Sequence, residues 1–94
     1  MKKTYSFASE NGTFVCFNEY SEEDDFPGFR AFLARALNTV VPSPQENPYS
    51  LTSEFKVSGR NVVAMFHGDS GCCIRVEPGD DAVAEQIVRA CYGE

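Results

Sequence analysis

The sequence predicts an α+β fold of order ββαβββα, a five-stranded antiparallel sheet with two helices packed on one face. Three observations lead there. Asn11-Gly12 between two apolar runs marks a β-hairpin. Residues 29–40 and 83–91 repeat apolar side chains at helical spacing. Residues 51–77 are cut by two glycine-containing turns into three runs of strand type. The 94 residues suit a single domain spanning 1–94. A chain of this size buries enough surface to fold without disulfides or a metal.

Residues 4–10 and 13–20 read as the first hairpin. A two-residue type I′ turn at Asn11-Gly12, with positive φ at both, sets Phe7 opposite Cys16, Tyr5 opposite Asn18 and Ala8 opposite Val15. Tyr5, Phe7, Phe14 and Cys16 then share one face, and Ala8, Val15 and Phe17 the other. Both faces are apolar, so the hairpin is expected to be covered on both sides or to take part in association.

The acidic run Ser21-Glu22-Glu23-Asp24-Asp25 leads into the first helix, whose core stripe is Phe29, Phe32, Leu33, Ala36, Leu37 and Val40. With Asp25 as N-cap, Pro27 falls in the first turn, where its missing N–H is tolerated; a start at Ser21 would place it in the interior. The carboxylates favour the positive helix end, and Pro42 ends the element. Residues 42–50 contain three prolines and no apolar period, and read as a connecting loop.

Residues 51–57 alternate, with Leu51, Phe55 and Val57 inward; Ser58-Gly59-Arg60 turns the chain, and residues 61–66 are almost wholly apolar. The next turn is set by parity. A two-residue loop at Asp69-Ser70 would place Arg75 in the core. A three-residue loop, Asp69-Ser70-Gly71, sets Phe66 opposite Ile74 and Ala64 opposite Val76, with Gly71 left-handed. Pro78-Gly79-Asp80-Asp81 opens the second helix, with Val83, Ile87, Val88 and Cys91 as its stripe.

Composition narrows the function. The net charge is −6, and two of the eight basic residues, Lys2 and Lys3, stand at the N-terminus. Nucleic-acid and anionic-membrane partners need a basic cluster, and this chain has none. No apolar stretch follows Met1-Lys2-Lys3, so a secretory signal is not expected and the cytoplasm is the expected location. Cys16, Cys72, Cys73 and Cys91 make no C-x-x-C pair and are expected to be reduced, with Cys16 and Cys91 buried.

Gly68-Asp69-Ser70-Gly71 resembles the nucleophile segment of trypsin-like serine proteases over four residues. Cys72 stands where that segment continues with glycine, and the only histidine, His67, lies three residues before Ser70. Gly, Asp and Ser are also what hairpin turns use, and the turn reading is preferred. His67, Cys72 and Cys73 stand across one hairpin mouth and are metal-ligating types, but adjacent strand residues point to opposite faces, so Cys72 and Cys73 do not both aim at one ion. No catalytic residue, metal ligand or cofactor is assigned.

Two surfaces remain. One is acidic: Glu22, Glu23 and Asp24 at one helix start and Asp80 at the other, expected at a common end of the sheet. The other is apolar: Val63 and Met65, extended by Val15 and Phe17, on the sheet face opposite the helices. The expected function is a non-enzymatic protein-binding module with an acidic surface, associating with itself or with a protein partner. The analogy, on size and charge alone, is to immunity proteins, antitoxins and secretion chaperones. The alternative is a small enzyme or small-molecule-binding domain with a Cys- or His-containing site between helices and sheet.

Overall fold

A computed structural model describes residues 3–93; Lys2 lies outside them. The elements are β1 (Thr4–Ser9), β2 (Gly12–Phe17), α1 (Phe26–Leu37), β3 (Gln45–Asn47), β4 (Ser50–Val57), β5 (Arg60–His67), β6 (Gly71–Val76) and α2 (Asp81–Tyr92). The strands form one antiparallel sheet in the order β1-β2-β6-β5-β4-β3. The α+β class holds, with six strands rather than five. The added strand is β3, inside the stretch expected to be a loop. Asn47-Pro48-Tyr49-Ser50 has turn residues at its first two positions. It folds Gln45–Asn47 back onto Ser50–Thr52.

Both helices pack on one sheet face. Phe29 and Leu33 of α1 and Val83 and Ile87 of α2 share a core with Val15, Phe17, Phe55, Val62, Ala64, Ile74 and Val76. The strand registers place all seven of these strand residues on the same face. Asp25 is the N-cap of α1 and Pro27 lies in its first turn, as expected, but the Asp25 carboxylate accepts from the Glu22 N–H at 3.0 Å instead of capping the helix. The helix stops earlier than its apolar period. Asn38 takes the left-handed conformation (φ 51°), which asparagine tolerates better than most residues. Val40 is therefore 80% exposed rather than in the stripe, and Val41 enters the core. Arg30 fastens this exit, its Nε donating to the Pro42 carbonyl and its Nη2 to the Val41 carbonyl, both at 2.8 Å.

The first hairpin pairs two residues away from the expected register: Tyr5 faces Cys16 and Phe7 faces Phe14, with Glu10-Asn11 as the loop. Gly12 has positive φ and Asn11 does not. Local hydrogen bonds account for the shift. Ser9 Oγ accepts from the Asn11 N–H at 3.1 Å, and Arg75 Nη1 donates to the Asn11 carbonyl at 3.0 Å. The β5–β6 hairpin is also displaced by two, with Ala64 opposite Ile74, Phe66 opposite Cys72, and Gly68-Asp69-Ser70 between His67 and Gly71. A shift of two preserves the faces, so Ile74 and Val76 point inward and Gly71 is left-handed (φ +74°), as expected. The β4–β5 turn at Ser58-Gly59 has positive φ at both residues.

Candidate functional site

The register defines the sheet face that the helices leave open. One row across it runs Thr52, Met65, Cys73, Cys16, Tyr5, and the next runs Glu54, Val63, Arg75, Phe14, Phe7. Val63 and Met65 lie here, as expected. Val15 and Phe17 do not: both are buried under the helices, and Phe17 packs edge-on against Phe29 with ring centroids 5.0 Å apart. Their neighbours on β6 decide this. Ile74 and Cys72 share their face, whereas Phe14 and Cys16 stand beside Arg75 and Cys73.

The outer face thus centres on the first hairpin, not on β5. Tyr5 is 50% exposed and Phe7 43%, while Phe14 and Met65 are partly exposed. Phe7 and Phe14 stack with centroids 5.1 Å apart and planes 6° from parallel. Cys16 and Cys73 form the buried floor of the patch. Val63 is only 8% exposed, in register between Glu54 and Arg75, and offers little contact area itself.

The acidic residues are not brought together. Glu22, Glu23 and Asp24 are exposed beside the start of β6, where Ser21 abuts Gly71. Asp80 lies at the opposite end of the sheet, where its Oδ1 accepts from Arg60 Nη2 at 2.8 Å and from Nε at 3.2 Å. Asp80 is 8% exposed, and its charge is used within the fold. A strand of six residues separates the two helix starts because they flank opposite ends of β6.

The potentially reactive groups are held in unreactive forms. Burial pushes the Cys72 thiol up to about 12, with a further rise from Asp25. Burial also pushes Cys73 up to about 12, reinforced by Cys16, and Cys91 up to about 11. Cys91 is half-buried rather than buried. Cys72 Sγ donates weakly to the Glu22 carbonyl at 3.8 Å. Protonated thiols are poor nucleophiles and poor metal ligands. His67 Nδ1 accepts from the Asp69 N–H at 3.2 Å, which ties the imidazole into its own turn. The Ser70 N–H donates to the His67 carbonyl at 3.0 Å, the bond of a reverse turn. Among the described residues, no group of three or more His, Cys, Asp or Glu side chains is placed to hold a metal.

The chain matches no family model, and no curated protein and no solved structure is detectably similar to it. Among the described residues, no helix is long and apolar enough to cross a membrane.

On the helix side, α2 does not extend over β1, which leaves a broad groove of about 900 Å³. Ser6 and Ala8 line one wall and Ala84, Glu85 and Val88 the other. Thr13 closes one end, its Oγ1 donating to Asp81 Oδ1 at 2.6 Å. No cysteine or histidine lines this groove.

Alternation groups Tyr5, Phe7 and Phe14 on one face but does not single them out as a surface. Nothing within the hairpin indicates which of its two apolar faces the helices cover. The one usable signal lies elsewhere: Arg75 must point outward, so whatever shares its face does too.

Proposed function

We propose that the protein is a non-catalytic binding module that holds a protein partner against the outer face of its sheet, around Tyr5, Phe7, Phe14 and Met65. The exposure of Tyr5 and Phe7 on a regular, helix-free sheet face carries this reading. Clustered aromatic and methionine side chains are the residue types enriched at protein interfaces. The stacked Phe7–Phe14 pair is already ordered, so contact with it costs little side-chain entropy. The net charge of −6 favours a partner with a basic rim and disfavours nucleic acid and anionic membranes. Immunity proteins, antitoxins and secretion chaperones are analogous in size and charge only. The free thiols suit a reducing compartment such as the cytoplasm.

The test is site-specific photo-crosslinking in cells, with a photoreactive residue at Phe7 or Met65 and controls at Val40 and Glu85. Adducts from Phe7 and Met65, but not from Val40, support the reading. Adducts from the control positions alone would overturn it. A second reading, a small-molecule site, is favoured by the volume of the groove beside α2. It predicts that filling the groove with Glu85→Trp abolishes function, whereas Met65→Glu does not.

A further inference from the structure

We infer that two copies of this chain pair through β1, antiparallel and centred on Ser6, to form a continuous twelve-stranded sheet. This extends the reading of the outer face as a contact surface. The inference starts from the two edges of the sheet, which differ. On the far edge, β3 is three residues long, carries Glu46 and lies between Pro44 and Pro48; it covers only Ser50–Thr52 of β4, and the remainder of β4 carries Glu54 and Lys56. Short length, charge and proline are the devices that keep an edge from pairing. The β1 edge has none of them. Thr4–Ser9 is six residues of unbroken register, with no charge, proline or bulge. Five of its six residues are exposed.

The hydrogen-bond phase of β1 fixes how a second copy fits. The Asn18 N–H donates to the Lys3 carbonyl at 2.9 Å, so Lys3, Tyr5, Phe7 and Ser9 bond inward to β2. By alternation, the N–H and C=O groups of Thr4, Ser6 and Ala8 point away from the sheet. A two-fold axis at Ser6 sets Ser6 opposite the partner's Ser6 and Thr4 opposite the partner's Ala8. All three outward residues then exchange backbone hydrogen bonds. The same register sets Tyr5 opposite the partner's Phe7 in a non-hydrogen-bonded pair, where side chains come closest. Both lie on the outer face, so the Phe7–Phe14 stack continues across the axis into one aromatic band. An axis one residue further on, at Phe7, would pair Thr4 with Glu10 in the turn and shorten the regular ladder.

Charge selects the antiparallel arrangement. Lys3 and Glu10 stand at opposite ends of β1, so antiparallel pairing keeps like charges apart where parallel pairing would set them together; Lys3 itself is held by Glu19 of its own chain at 3.4 Å. The helix side offers no obstruction, because the groove between β1 and α2 leaves the edge clear.

Sedimentation of the full chain with charge-swapped variants at the axis tests this. The wild type is expected to sediment at twice the 10.4 kDa chain mass at high micromolar concentration. Ser6→Lys and Ser6→Glu should each be monomeric under the same conditions, with circular dichroism unchanged. Mixing the two should restore the dimer, because Lys then faces Glu across the axis. A wild type that stays monomeric overturns the inference. So does a dimer that persists in both variants but is lost in Met65→Glu; that result would place self-association on the sheet face and leave the proposed binding surface standing.

Discussion

Gly71 lies against the backbone of Ser21: a Cβ built on Gly71 would stand 3.1 Å from Ser21 Cα and 3.2 Å from its carbonyl oxygen. The contact is fixed by the hydrogen bond from the Cys72 N–H to the Tyr20 carbonyl, 2.9 Å long, which ties the start of β6 to the turn that follows β2. Glycine is therefore required twice here, by its left-handed φ of +74° and by the closeness of the Tyr20–Ser21 segment. Gly71→Ala is expected to destabilise the fold by roughly 1–3 kcal/mol, the usual cost of strain of this kind. Urea unfolding gives the value, and an unchanged midpoint would refute the account.

The tightest backbone approach is at Gly12, where a Cβ would overlap the Val76 carbonyl oxygen and φ is +129°. Neither the carbonyl nor the strand carrying it is free to yield, since Thr13 pairs with Val76. Gly12→Ala should cost more than Gly71→Ala, about 3–5 kcal/mol from strain and overpacking together. Gly68→Ala is the control. Its Cβ meets nothing within 4 Å, and its unfolding midpoint should barely move.

Ser53 points into the helix-covered core, and its Oγ has no hydrogen-bond partner. An unsatisfied buried hydroxyl costs about 1–3 kcal/mol. Ser53→Ala removes the hydroxyl for a small loss of volume and should leave the protein equally stable or about 1 kcal/mol more stable. A loss of 1 kcal/mol or more in chemical denaturation would mean that the hydroxyl makes a bond after all.

Parity explains what was legible in the sequence. Both hairpins pair two residues away from the expected register, yet the residues that share a face along those strands stay together, because side chains alternate with a period of two. What alternation leaves open is which face meets the helices. In β1 and β2 the aromatic side chains divide: Tyr5, Phe7 and Phe14 point away from the core, while Phe17 joins Ser6, Ala8 and Val15 on the helix side. The pairing of β2 with β6 resolves this, and it joins segments more than fifty residues apart. Val40 continued the helical period, but Asn38 turned the chain before it. The short strand β3 carries no apolar signal because all three of its residues are exposed. Asp80 read as a surface charge because its partner, Arg60, is on another element.

The thiols tie stability to alkaline pH. Cys72 and Cys73 sit at about 12 when folded, against an ordinary value of 9.0, because burial disfavours the thiolate. Below about pH 9 they are protonated in both states and contribute no pH dependence. Above it, the unfolded chain releases protons that the folded chain retains, so stability falls as pH rises toward 12. Burial and the Glu19 carboxylate likewise raise the Tyr92 phenol, which adds to the effect in the same direction. The urea midpoint should decline steadily above about pH 9. In native buffer at neutral pH, Cys72 and Cys73 should react slowly with a thiol-specific disulfide reagent, and all four cysteines rapidly once unfolded. Fast native labelling of Cys72 or Cys73 would contradict the burial argument.

Phe7 and Phe17 sit at opposite ends of the same hairpin and test its orientation. Phe17 is fully buried between the sheet and the helices, touching Phe29 and Tyr92. Phe17→Ala should cost about 3–5 kcal/mol, the range for emptying an aromatic site in a core. Phe7 is 43% exposed and contacts chiefly Phe14. Phe7→Ala forfeits one aromatic pair, worth about 0.5–1.5 kcal/mol, and little burial. The two substitutions remove identical atoms, so their difference reports only the side of the sheet each occupies. Association should respond in the reverse order. Phe7→Ala should weaken contact with a partner while the domain stays folded, because the outer face loses one of its exposed aromatic rings. Equal stability costs for the two variants would mean that the hairpin is covered on both faces. Loss of binding in Phe17→Ala but not in Phe7→Ala, with both variants folded, would move the contact surface to the helix side.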